Sequence, residues 1–333
     1  MFTEFFNFAA QSVVPDEEVL RRFCVDTRAV SDTKVLADSV SPERVEGYDE
    51  FTDAWGIRHR KPATGGFYYD PYGHPLRGKN GDEIGRYPLP DPKELVNGEA
   101  LRQRCITVRE NGFPVVLGKG FAFGLMHTGA YLLGYEDFLS RMILERRLVE
   151  SLLEKILYHK LVFYEHVLQA AGEYIDIVVE ADDLGTQRGP FISPDLYRTM
   201  IKPLQAKLFR GIKQMASHVK ILYHSDGSIY EFIPDLIEIG ADALNPVQIS
   251  ADRMNPELLK SEFGSEITFW GGGIDTQEVL PKGDIEAIRR SAERLISVFS
   301  KNGGYVFSTV HNIQDDVAPE HIVALFDEVN KGR

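Results

Sequence analysis

Only two cysteines, Cys24 and Cys105, occur among the 333 residues. They lie far apart and lack CxxC spacing, which excludes a disulfide framework or a thiolate metal cage and fits a reducing compartment. Positive charge is scarce as well: 37 Lys and Arg face 50 Asp and Glu, a formal net charge of -13, with no long basic run. Such a chain repels a phosphate backbone, so general nucleic-acid binding is excluded. No segment approaches the ~20 apolar residues that a membrane span needs. The opening stretch "MFTEFFNFAAQSVVPDEEV" has no basic n-region followed by an apolar stretch and a small-residue cleavage site. These absences lead to the expectation of a cytoplasmic protein that partners neither nucleic acid nor membrane. Internal repeats and low-complexity tracts are missing too.

What is present is enough apolar material, 43% of residues, to bury a full core. From about Pro114 onward, short β-rich runs alternate with helical patterns. The predicted strands are "PVVLGK", "YIDIVVEAD", "VKILYHS", "ADALNP", "EITFWGG" and "GYVFST". Between them lie amphipathic stretches such as "SPDLYRTMIKPLQAKLFRGIKQM", in which Ser193 can cap a helix and Pro194 can occupy its first turn. Another, "GSIYEFIPDLIEIG", ends on Gly240, a helix stop. Repeated strand-helix units imply parallel strands with right-handed crossovers, hence an open doubly wound sheet or a closed barrel. Several different strands end in polar residues: Asp182-Asp183, His224-Asp226, Asn245, Asp275 and His311-Asn312. Convergence of many strand tips favours the barrel, because an open sheet concentrates its ligand near one switch point. The expected fold is therefore α/β, a single (β/α)8 TIM-type barrel over residues 1–333. Residues 1–105 form an irregular N-terminal elaboration that caps it. In that elaboration, alternation around Phe67, Tyr68 and Tyr69 suggests a hairpin strand.

His224 and Asp226 stand two apart at a strand end and can aim at one object, such as a metal ion. Imidazole and carboxylate are both zinc ligands, and His311, at the end of another strand, would supply a third. The alternative is that Asp226 caps a helix starting near Ser228 while His224 hydrogen-bonds a neighbour. Asp182 and Asp183 could act as acid, base or ligand, or could hold a loop through its amides. His159 and His166 lie two turns apart on a long helix and read as packing residues. "GKGFAFG" departs from the dinucleotide fingerprint at its third glycine and reads as a loop. "GGG" at 271–273 reads as a tight turn rather than a phosphate cradle.

The blocks "EADDLGTQRGPFISPDLYRTMIKP", "ILYHSDGSIYEFIPDLIEIGADALNPVQ", "FWGGGIDTQEVLP" and "VFSTVHNIQDDVAPEHI" together resemble the uroporphyrinogen decarboxylase superfamily. The likeness runs from about Ala100 to the C-terminus and is closer to the branch of corrinoid-dependent methyltransferases. It implies a (β/α)8 barrel with its site at the C-terminal mouth. Decarboxylases of this family carry an arginine-rich "RQAGR" segment for a carboxylate-rich tetrapyrrole. Here Arg21, Arg22 and Arg28 sit in an unrelated context, "EEVLRRFCVDTR". Decarboxylation is therefore the alternative, together with a catalytically silent binding barrel.

In the methyltransferase branch the resemblance implies zinc held by a strand-end His-x-Cys and a later Cys. His224 matches the first ligand, Asp226 stands where the first Cys would be, and His311 stands near the second. The site has therefore either lost its metal or been retuned with harder ligands, which leave zinc more positive and better suited to polarising an oxygen. The expectation is Zn2+ on His224, Asp226 and His311, with Glu180 or Asp183 as a fourth ligand. The zinc would polarise a small methyl donor such as a methoxylated aromatic, and the methyl would pass to a corrinoid (cobalamin) on a partner protein. Gln187, Asn245, Gln248, Asp275 and Gln314 are the residues expected to orient the donor, and Tyr69 could stack on its ring.

Overall fold

The computed structural model describes residues 6–7, 12–13, 16–30, 42–66, 68–118 and 123–331. The chain divides into two compact units. The first comprises Met1–Val14, Thr27–Val178 and Pro203–Val219; the second comprises Pro15–Asp26, Val179–Lys202 and Lys220–Arg333.

In the first unit, β1 (Phe6–Asn7) and β2 (Ser12–Val13) form a short antiparallel ladder. Strand β3 (Arg28–Val30) follows, and then β4 (Glu43–Val45), β5 (Tyr48–Thr52), β6 (Arg58–Pro62) and β7 (Asp70–Gly73) make a four-stranded antiparallel meander. The hairpin strand anticipated around Tyr69 is β7, which starts one residue later; Phe67 lies outside the described residues. Strand β8 (Val115–Leu117) pairs in parallel with β3 and with the start of β9 (Ile177–Ala181). Part of "GKGFAFG" also falls outside the described residues.

The second unit takes the end of β9 and continues with β10 (Lys220–His224), β11 (Ala243–Asn245), β12 (Thr268–Trp270) and β13 (Tyr305–Val306). Strands β10 to β13 pair in parallel, each with the next. Apolar runs such as "ILY" form these strands because both faces are buried, as in parallel sheets covered by helices. The sheet order is β13-β12-β11-β10-β9-β8-β3. The parallel α/β class expected from the sequence is thus present. Among the described residues the sheet has seven strands and no eighth, so closure is not part of what is described. The end strands span three residues in β3 and two in β13, which leaves little ladder for a further neighbour.

The helices follow local chemistry. The Ser193 side chain accepts from the Leu196 amide, and Pro194 opens the helix. A π-turn at Tyr197–Ile201 then precedes Lys202–Met215. Pro203 supplies the cause, since it has no N–H for the carbonyl one turn back and its ring crowds that carbonyl. The helix Ile233–Ile239 stops at Gly240, whose φ of 99° is the left-handed C-cap the sequence predicts.

Candidate metal centre

His224 is the last residue of β10 and sits beside Asn245, the last residue of β11, in parallel register. The chain then leaves the sheet through Ser225, Asp226, Gly227 and Ser228, and neighbouring strand tips tie down each of these amides. Ser225 donates to the Asn245 carbonyl at 2.8 Å, and Ser228 to the Thr186 carbonyl at 2.8 Å. The Asp226 amide donates to Asp183 Oδ1 at 3.0 Å and the Gly227 amide to Gln248 Oε1 at 2.7 Å. In return, Ser225 Oγ accepts from the Leu184 amide at 2.9 Å. Gly227 has φ +84°, and a Cβ there would run into the Gly185 and Thr186 backbone. The loop is therefore held on backbone contacts that admit no side chain at this point.

This frame aims three side chains inward. His224, Asp226 and His311 each offer a donor atom, and those atoms all lie within 4.8 Å of one another. His224 Nε2 is 3.7 Å and His311 Nε2 is 3.6 Å from the same oxygen, Asp226 Oδ2. A tetrahedral ion with bonds of ~2.1 Å sets its donors ~3.4 Å apart, close to the two spacings from Asp226 Oδ2 to the imidazoles. The imidazoles are tilted, with ring centroids 6.3 Å apart. The His224 side chain is 11% exposed, and those of His311 and Asp226 are 33% and 32% exposed, which leaves an open side. His224 Nδ1 lies 2.6 Å from Asn245 Oδ1, so the ring is braced on the face opposite the cluster.

The reading of Asp226 as a helix cap does not hold. The next helical turn begins at Tyr230 and is followed by the helix from Ile233, while the Asp226 carboxylate faces the two imidazoles. Asp183 stands close by, with Oδ1 3.9 Å from His224 Nε2. Glu180 is buried on β9 and is not one of the three clustered donors. Two residues expected to orient a donor are used by the protein itself: Asn245 braces His224, and Gln248 holds the Gly227 amide. Asp275 Oδ1 accepts from the amides of Gln277 and Glu278, closing a turn. Gln187 is exposed and Gln314 is half-buried.

Tyr69 belongs to the first unit, buried edge-on against Phe51 with Lys61 over its ring. Burial, aided by the Asp49 charge, pushes its hydroxyl up to about 12. His159 Nδ1 meets the Lys155 carbonyl at 2.8 Å and His166 Nε2 the Val96 carbonyl at 3.4 Å, as packing residues do. Sequence reasoning passed over Ser225 and Gly185. Their signal was the pairing of two strand tips that both run into a glycine, "DDLG" and "HSDG".

Residues 74–332 match the model of the family described as uroporphyrinogen decarboxylase (URO-D), and the chain belongs to that family. Among solved structures it is similar to a methyltransferase from Methanosarcina mazei, at 16% identity and a TM-score of 0.65, over 94% of this chain and 82% of that one. That likeness shows a shared fold. It is also similar to a glycosylated family 10 endo-β-1,4-xylanase from Gloeophyllum trabeum, at 9% identity and a TM-score of 0.44, over 71% and 81% of the two chains. No curated protein matches the sequence. Among the described residues no helix is long and apolar enough to cross a membrane.

Proposed function

We propose that this chain is a zinc-dependent methyltransferase that moves a methyl group from a small oxygen-bound donor, such as a methoxylated aromatic, to the corrinoid of a partner protein. The observation that carries the reading is the convergence of His224, Asp226 and His311 in a member of the URO-D family. The donor set fits the ion: two imidazoles and a carboxylate are ordinary zinc donors, and three protein ligands leave a position for substrate. Bound there, zinc would supply a Lewis acid that keeps positive charge after Asp226 is counted, suited to an oxygen rather than a sulfur.

The remaining work falls to the chain's own residues. The tied-down loop Ser225–Ser228 fixes Asp226 relative to His224, so the open position would keep one direction when a donor arrives. When the methyl–oxygen bond breaks, its electron pair stays on the oxygen; the proton that neutralises it comes from solvent water, and we assign Asp183, a partly exposed carboxylate 3.9 Å from His224 Nε2, the relay of that proton. Gln187 and Gln314 keep the donor-orienting role. Gln248 keeps it through its Nε2 end, since only its Oε1 holds the Gly227 amide, whereas both ends of the Asn245 amide serve the frame. The same reading gives the chain a closed (β/α)8 barrel and a cytoplasmic setting.

The test is methyl transfer itself. Purified protein is mixed with a reduced corrinoid protein and, in turn, methoxylated aromatics, methanol and methylamines, and methyl-corrinoid formation is followed by absorbance. Transfer from an O-methyl donor, lost on chelation and restored by zinc, is the expected result. Activity that survives both chelation and His224→Ala would end the proposal.

A further inference from the structure

We infer that Asn245 is a positioning residue for this centre: its carboxamide fixes the His224 ring in the tautomer that leaves Nε2 as the donor atom. The inference rests on the metal reading above for its purpose, though not for its geometry. An amide has one accepting and one donating end, and Asn245 has both ends engaged. Its Nδ2 donates to the Trp270 carbonyl at 3.0 Å, an atom that can only accept. That contact sets the amide orientation, so the atom 2.6 Å from His224 Nδ1 is the accepting Oδ1. His224 must then carry its proton on Nδ1. The lone pair is left on Nε2, the atom that faces Asp226 Oδ2 at 3.7 Å and Asp183 Oδ1 at 3.9 Å.

The sheet makes the arrangement stiff. His224 and Asn245 are register partners at the tips of β10 and β11, and the next backbone bond, from the Ser225 amide to the Asn245 carbonyl, locks the tips together at 2.8 Å. Free neutral imidazole prefers the proton on the other nitrogen, the one remote from the backbone, so the protein has to impose this form. Metal-ligating histidines are commonly braced by an acceptor on the far nitrogen, and removing such a partner typically weakens binding ~10–100-fold. Asn245 supplies that acceptor without adding a second charge beside the ring.

The test separates this inference from the metal reading. Zinc-free protein labelled with 15N-histidine is examined by NMR at about pH 8.5, where an imidazole is neutral. The His224 signals, one set among nine histidines, are assigned by their loss in His224→Gln. The expected result is a protonated Nδ1 in the native protein and its loss in Asn245→Ala. Zinc dissociation constants from competition with a chromophoric chelator should rise ~10–100-fold in Asn245→Ala and less in Asn245→Asp, which keeps an acceptor at Nδ1 but sets its second oxygen against the Trp270 carbonyl. A native ring protonated on Nε2, or native zinc affinity in a folded Asn245→Ala, overturns the role of Asn245. A protonated Nδ1 in a protein that binds no zinc supports the bracing and removes the metal reading instead.

Discussion

Gly227→Ala should damage both the fold and the segment that carries Asp226. The residue adopts φ +84°, and the new Cβ would meet the Thr186 nitrogen at 2.7 Å as well as the Gly185 backbone. Left-handed backbone costs an L-residue roughly 1–2 kcal/mol. Because the colliding atoms are main chain, no rotamer change relieves them, and overpacking of this kind adds about 1–3 kcal/mol. The sum, about 2–5 kcal/mol, is a large fraction of the 5–15 kcal/mol that holds a typical domain folded. Gly240→Ala is the control, with φ +99° and nothing within 4 Å of its Cβ. It should cost only the conformational part. The assay is urea unfolding of both variants, with zinc affinity measured alongside. Gly227→Ala should lose more stability than Gly240→Ala and should also weaken zinc binding, because the strain falls on the segment carrying Asp226. Equal losses in the two variants would refute the backbone contact between the strand tips.

Two further perturbations probe the frame and the first unit. Ser225→Ala removes the oxygen that accepts from the buried Leu184 amide, and an unsatisfied buried N–H costs about 1–3 kcal/mol, so a urea midpoint unchanged from native would contradict the assigned bond. Asp137 is titrated downward overall: burial raises its carboxyl, but the Gly78 amide and the Arg141 guanidinium outweigh burial and hold it below the ordinary value. A depressed folded value means stability that is present above the unfolded carboxyl range and is lost as pH falls through the folded one. Asp137→Asn should therefore be less stable than native by about 1 kcal/mol near neutrality. The gap should close in acid below about pH 4. A gap that widens in acid would reverse the sign and sink the assignment.

The second unit was more legible than the first for a physical reason. Strands β9 to β12 are short apolar runs bounded by turn residues, and burial on both faces writes that pattern directly into the sequence. Strand β3 was missed because it is three residues long and includes Arg28, whose guanidinium lies over the Phe113 ring 3.7 Å away, a contact that no local pattern announces. The three clustered donors were readable because residue types with metal affinity stood at separate strand ends. The roles of Asn245 and Gln248 were not. An amide at a strand tip can serve a ligand or the neighbouring tip equally well, and only the register of β10 against β11 decides between them.

Zinc K-edge X-ray absorption on protein purified without added chelator tests the central claim most directly. The account predicts about one zinc per chain, surrounded by nitrogen and oxygen scatterers at ~2.0–2.1 Å with the multiple-scattering signature of two imidazoles and no sulfur near 2.3 Å. Loss of one imidazole contribution in His311→Ala would follow from the same arrangement. Absence of zinc, or a sulfur shell, would contradict it.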